Sequence, residues 1–175
     1  YSPYAAVSLQ DFWRRSHMTL SRWLRDYLYN ALGGNRKGKV ITYRNLMLTM
    51  LIGGLWHGAG WTFVIWGGIH GVGLVVEHWR RNQPGYVAPS DTRRRRIVSR
   101  LITFNIVCVA WVFFRADSFA TAVDLLTGLF TGWGEASPLV TGGVLLAIAV
   151  GIGSPYLPAK FPFAVMERFG RLPVA

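Results

Sequence analysis

The sequence predicts an all-α, polytopic membrane protein with transmembrane and re-entrant helices and one amphipathic helix lying in the interface. Three observations carry that prediction. About half of the 175 residues are apolar, yet nineteen Lys and Arg stand against eight Asp and Glu. The cations crowd into the gaps between long uncharged stretches, as they do at the ends of membrane segments. Eight Trp and seven Tyr supply rings with a polar tip that settle at headgroup level, and twenty Gly suit close helix packing in lipid. The same pattern excludes a soluble nucleic-acid-binding module, because a stripe of cations for phosphates does not call for charge-free runs of this length.

Residues 1–175 read as a single membrane domain. The chain opens on Tyr1 without a charged n-region or a cleavable apolar core, so it reads as the C-terminal part of a longer chain. The lone Cys108 lies in an apolar stretch, where it supports neither a disulfide nor a thiolate metal site and is expected to pack as a small hydrophobe.

Residues 11–32 have a helical period. Trp13, Leu20, Leu24, Tyr27, Leu28 and Ala31 share one side, while Arg14, Arg15, Arg22, Arg25 and Asp26 share the other, so this helix is expected to lie in the interface. His17 projects among the apolar residues. The loop GGNRKGK, from Gly33 to Lys39, ends the helix. Asn45 to Val76 then runs for 32 residues without a formal charge, well beyond the roughly 20 that span a bilayer. Its many glycines weaken helix along its course, and two shorter elements are expected to meet near Trp56–Trp61. Residues 45–79 therefore read as broken or re-entrant helices, with His57 at the break. After the arginine-rich loop 80–96, residues 97–114 are the clearest spanning segment, and residues 140–157 a second. Short loops rich in Lys and Arg stay cytoplasmic, which assigns 11–44, 80–96 and 158–175 to that side and the acidic loop 115–138 to the other.

The run GLWHGAGWTFVIWGGIHG, Gly54 to Gly71, is the strongest chemical constellation. An imidazole within apolar residues is costly and suits a general base that takes a proton from a hydroxyl near neutral pH; the bland alternative is a hydrogen-bonded packing residue. His57 stays open between the two on position alone. His70 reads as structural and shares a helical face with Trp66, whereas His78 reads as an interfacial anchor beside Arg80 and Arg81. Their spacing does not match a two-histidine metal pair and no thiolate or carboxylate cluster completes one, so no metal is expected. His17 is open between packing and facing a cavity. The Gly33–Lys39 loop resembles an anion cradle in composition but lacks a phosphate-loop spacing, and a helix stop beside anionic headgroups is the simpler reading. Broken helices with an intramembrane histidine also occur along transport paths, so a transporter or channel fragment is the competing function.

Three stretches resemble a known family, the membrane-bound O-acyltransferases, in the branch typified by alginate O-acetyltransferase. They are DFWRRSHMTLSRWLRDYLYNALGGNR (11–36), GLWHGAGWTFVIWGGIHG (54–71) and WVFFRADSFATAVDLL (111–126), in the order and approximate spacing of that branch. The resemblance implies a multi-pass enzyme of the bacterial inner membrane that moves an acyl group, acetyl in most of this branch, to hydroxyls of a cell-envelope polysaccharide, directly or through a periplasmic partner protein. It implies His57 in WHGAGW as the catalytic histidine and His17 in WRRSHMTLS as a second functional one. The tryptophan common after the second arginine of that branch is Ser16 here. No tightly bound cofactor is implied; the acyl donor is expected to be acetyl-CoA or another acyl thioester. Trp56, Trp61 and Asn45 are candidates for lining the substrate passage, and the residues that hold the donor are not legible.

Overall fold

The computed structural model describes residues 2–88, 92–131 and 141–153, and every regular element among them is helical. Residues 1–134 form one compact unit and residues 135–175 a second. The first carries six α-helices: α1 (Leu9–Arg15), α2 (Met18–Trp23), α3 (Lys39–Trp56), α4 (Trp61–Arg81), α5 (Arg93–Arg115) and α6 (Phe119–Thr131). Taken by itself, the second unit has α7 (Gly142–Gly153). The spanning segment expected at 140–157 lies partly outside the described residues.

Helix α1 starts where local chemistry dictates. Ser8 Oγ accepts from the Asp11 N–H at 3.0 Å, and Asp11 in turn accepts from the Val7 N–H and from Arg15 Nε at 2.8 Å. Helix α4 supplies a second cap. The Glu77 carboxylate accepts from the backbone N–H groups of Leu9 and Gln10, placing an anion at the positive end of α1.

The single helix expected over 11–32 is not formed. His17 adopts a left-handed conformation, φ 39° and ψ 49°, which breaks the segment between α1 and α2. Beyond Trp23 the chain continues as a π-helix, Leu24–Tyr29, with the Asn30 N–H donating to the Arg25 carbonyl. Periodic apolar residues specify which side of a helix is buried, and they carry no information about a single residue at positive φ.

Helices α3 and α4 form an antiparallel hairpin. Met47 lies against Gly71, Met50 against Gly67, and Gly54 against Phe63, so contacts advance along one helix as they retreat along the other. A Cβ on Gly54 would overlap the Phe63 carbonyl oxygen, and one on Gly67 the Met50 carbonyl oxygen. Two small residues thus let the backbones touch.

Helix α5 packs on α4 and completes two apolar clusters. Ala6, Leu9, Phe12, Met50, Leu74 and Val107 form one; Trp66, Ala110, Phe113, Ala116 and Ala122 form the other, and Trp13 touches both. With 23 residues, α5 is about 34 Å long, and it is the one helix among the described residues long and apolar enough to cross a bilayer. Its outer face, with Ile97, Leu101 and Ile102, is exposed. Lys39 and Arg44 lie within α3, and Glu77, Arg80 and Arg81 within α4, which leaves each with a shorter uncharged length than the 45–76 run as a whole.

Candidate active site

His57 occupies the joint of the hairpin, capping α3 with its N–H bonded to the Gly54 carbonyl at 3.0 Å. Aromatic rings from three elements surround its imidazole. Trp66 of α4 meets it edge-on with ring centroids 5.3 Å apart, Phe114 of α5 does so at 5.0 Å, and Phe63 lies tilted at 6.3 Å. Trp56 adds a fourth ring at 5.1 Å. The imidazole is half-buried, and its side-chain nitrogens have no hydrogen-bond partner among the described residues. An imidazole with a nitrogen free for a proton, set among four aromatic rings, is equipped for general acid–base work.

His17 approaches from another direction. The left-handed turn between α1 and α2 presents its side chain at the surface, close enough to His57 for a charge on either ring to act on the other. A non-glycine residue held at positive φ is uncommon, and such conformations cluster at functional sites.

Behind Trp66 the aromatic packing continues inward. His70 is fully buried; its Nδ1 accepts a 3.3 Å hydrogen bond from Trp13 Nε1, and its ring stacks on Phe12 at 6.1 Å. Trp66 lies between, 5.0 Å from His70 and 5.8 Å from Trp13. The Trp66 Nε1 and His70 Nε2 atoms are buried without a partner among the described residues.

Residues 1–123 match the profile of the membrane-bound O-acyltransferase (MBOAT) family. The chain belongs to that family. It is 51% identical over 134 residues to a "Peptidoglycan O-acetyltransferase" of Helicobacter pylori, covering 73% of this chain and 24% of that protein. A "Probable alginate O-acetylase" of Pseudomonas putida is 48% identical over 131 residues, 74% of this chain and 25% of its own length. A "Teichoic acid D-alanyltransferase" of Streptococcus thermophilus is 29% identical over 129 residues, 64% of this chain and 31% of its own. The chain therefore spans about a quarter of the length of the first two of these curated relatives.

Within this MBOAT chain the other sequence-derived candidates fall in different places. Trp56 and Trp61 flank the joint on its outer surface, 69% and 79% exposed. Asn45 is built into the fold. Its side chain is fully buried, with Nδ2 donating to the Leu32 and Gly34 carbonyls at 3.1 and 2.9 Å and Oδ1 accepting from the Arg44 guanidinium. The amide holds the Gly33–Lys39 loop onto α3. That loop acts as a helix stop, with Gly34 at φ 56° and its N–H bonded to the Tyr29 carbonyl.

Local sequence gives no signal that Phe63, Phe114 and Trp13 converge on this site. Phe114 ends the apolar run 97–114, where its place in the sequence marks a spanning segment and not a wall of this site. The Trp13–His70 bond joins residues 57 positions apart, and no local pattern signals such a pair.

Proposed function

We propose that the complete protein is an O-acetyltransferase of the bacterial inner membrane, multi-pass, acting on hydroxyls of a cell-envelope polysaccharide either directly or through a periplasmic partner. The reading rests on one observation above others: His57 stands at the hairpin joint among the rings of Phe63, Trp66 and Phe114, in a chain of the MBOAT family. The names of the bacterial relatives, which act on peptidoglycan and alginate, support acetyl as the group and a glycan as the acceptor.

In the proposed reaction His57 removes the proton from an acceptor hydroxyl as that oxygen attacks the carbonyl carbon of acetyl-CoA or another acyl thioester. The tetrahedral species collapses with cleavage of the carbon–sulfur bond, and the proton returns from His57 to the departing thiolate. Acetyl ends as an ester on the acceptor. His17 orients the acceptor or balances charge at the same centre, while Trp56 and Trp61 flank the entry and limit hydrolysis of the donor. No resident metal or cofactor takes part in this scheme.

Membranes holding the complete protein and its envelope glycan, supplied with acetyl-CoA labelled in the acetyl group, should transfer label into a base-labile ester on the glycan. Solute flux across the same membranes without ester formation would contradict the acyltransferase reading.

A further inference from the structure

A cavity of about 700 Å³ opens between the α1–α2 segment and the α3–α4 hairpin, and neither His57 nor His17 lines it. Its floor is apolar, formed by Leu24, Leu46, Met50 and Leu74, three of which are core residues. Its rim carries four guanidinium groups, those of Arg14, Arg22, Arg25 and Arg81, against the single carboxylate of Glu77. That carboxylate already accepts from the backbone of α1. Arg25 pairs with Asp26 at 2.7 Å, and Arg81 donates to Gln10 Oε1. Arg14 has no ion pair or hydrogen bond from its side chain among the described residues, and Arg22 interacts only at longer range, with Asp26.

Excess cationic charge above an apolar floor selects a ligand that is anionic at one end and apolar at the other. Guanidinium forks match phosphate oxygens in pairs, and the volume lies within the range of small-ligand sites. Trp23 and Tyr27, exposed on the helical segment that borders the cavity, are of the residue types that settle at a membrane interface. We propose that this cavity seats the phosphate headgroup of an anionic phospholipid, with Arg14 and Arg22 as its principal ligands and an acyl chain laid on the Leu46–Met50–Leu74 floor. The bound lipid ties the α1–α2 segment to the hairpin. The site is independent of the acyl-transfer reading, because it contains neither histidine of that reaction.

The test uses the complete protein purified in a neutral detergent, with phosphatidylglycerol or phosphatidylcholine added and bound lipid counted by native mass spectrometry. Phosphatidylglycerol should be retained in preference to phosphatidylcholine, and R14Q and R22Q should each lower its affinity by about fivefold, the loss expected for one cation at an anionic lipid surface. Equal retention of the two lipids, or unchanged retention in the double variant, would overturn the proposal. Displacement of the phosphatidylglycerol by acetyl-CoA in the unmodified protein, lost in the double variant, would assign the cavity to the acyl donor and overturn it as well. Lysines keep the charge without the fork, so R14K/R22K should bind between the two extremes. If the glutamine pair fails to fold, lysine variants that bind as tightly as the parent would contradict the guanidinium seat.

Discussion

Trp13 Nε1 donates to His70 Nδ1 at 3.3 Å, a bond that fastens the first helix to the middle of the hairpin. Acceptance at Nδ1 leaves the proton of the neutral ring on Nε2. His70 is fully buried and touches Phe12, Trp13 and Trp66, and Trp66 in turn walls His57. Trp13→Phe keeps most of the volume and removes the donor, which should cost about 1–2 kcal/mol of stability. His70→Ala leaves a void beneath Trp66 and should cost about 2–4 kcal/mol. Thermal unfolding of the complete protein in detergent checks both, and the alanine variant should be the less stable of the two.

The hairpin depends on the absence of side chains at its crossing. Gly67→Ala would push a methyl into the Met50 carbonyl, so α3 and α4 must separate, at an expected cost of about 1–3 kcal/mol. Gly68 is its internal control. A Cβ there meets only Leu51 Cδ2 at 3.9 Å, an ordinary contact, and Gly68→Ala should be neutral or stabilising by up to about 1 kcal/mol through helix propensity. Equal losses from the two substitutions would contradict the packing described.

Asn45 is assigned to architecture. Asn45→Ala leaves the buried Gly34 and part-buried Leu32 carbonyls without their donor and should cost about 1–3 kcal/mol. Acetyl transfer per folded molecule should be unchanged, and a fall in that ratio would return Asn45 to the substrate passage.

At His17 the backbone and the imidazole can be separated. Asparagine tolerates the left-handed region, so His17→Asn should keep stability within about 0.5 kcal/mol while removing the imidazole. Acetyl transfer should drop at least tenfold, as expected for a group near the reacting centre. Full activity in a stable His17→Asn protein would leave the histidine with a purely conformational role.

The parts legible in the sequence are those fixed by local pattern. The joint between α3 and α4 was readable because a charge-free run too long for one crossing carries glycines around Trp56–Trp61, and His57 sits there. Apolar length likewise marked α5. The break at His17 was not readable, since the apolar period continues in phase across it and the left-handed residue is a histidine rather than a glycine. The bonds of Asn45 are not legible, because polarity in an uncharged run signals burial with partners as well as contact with substrate, and its carbonyl partners lie 11 and 13 residues earlier. The walls around His57 come from α3, α4 and α5 together. Such a convergence is a property of packing, and the sequence carries no spacing for it.

If His57 carries the acyl transfer, the O-acetyl ester content of envelope polysaccharide depends on it, and this can be measured in cells whose complete protein has either His57 or Ala at that position, at matched membrane abundance. The ester should be lost in the His57→Ala cells; ester retained at the parental level would remove His57 from the reaction.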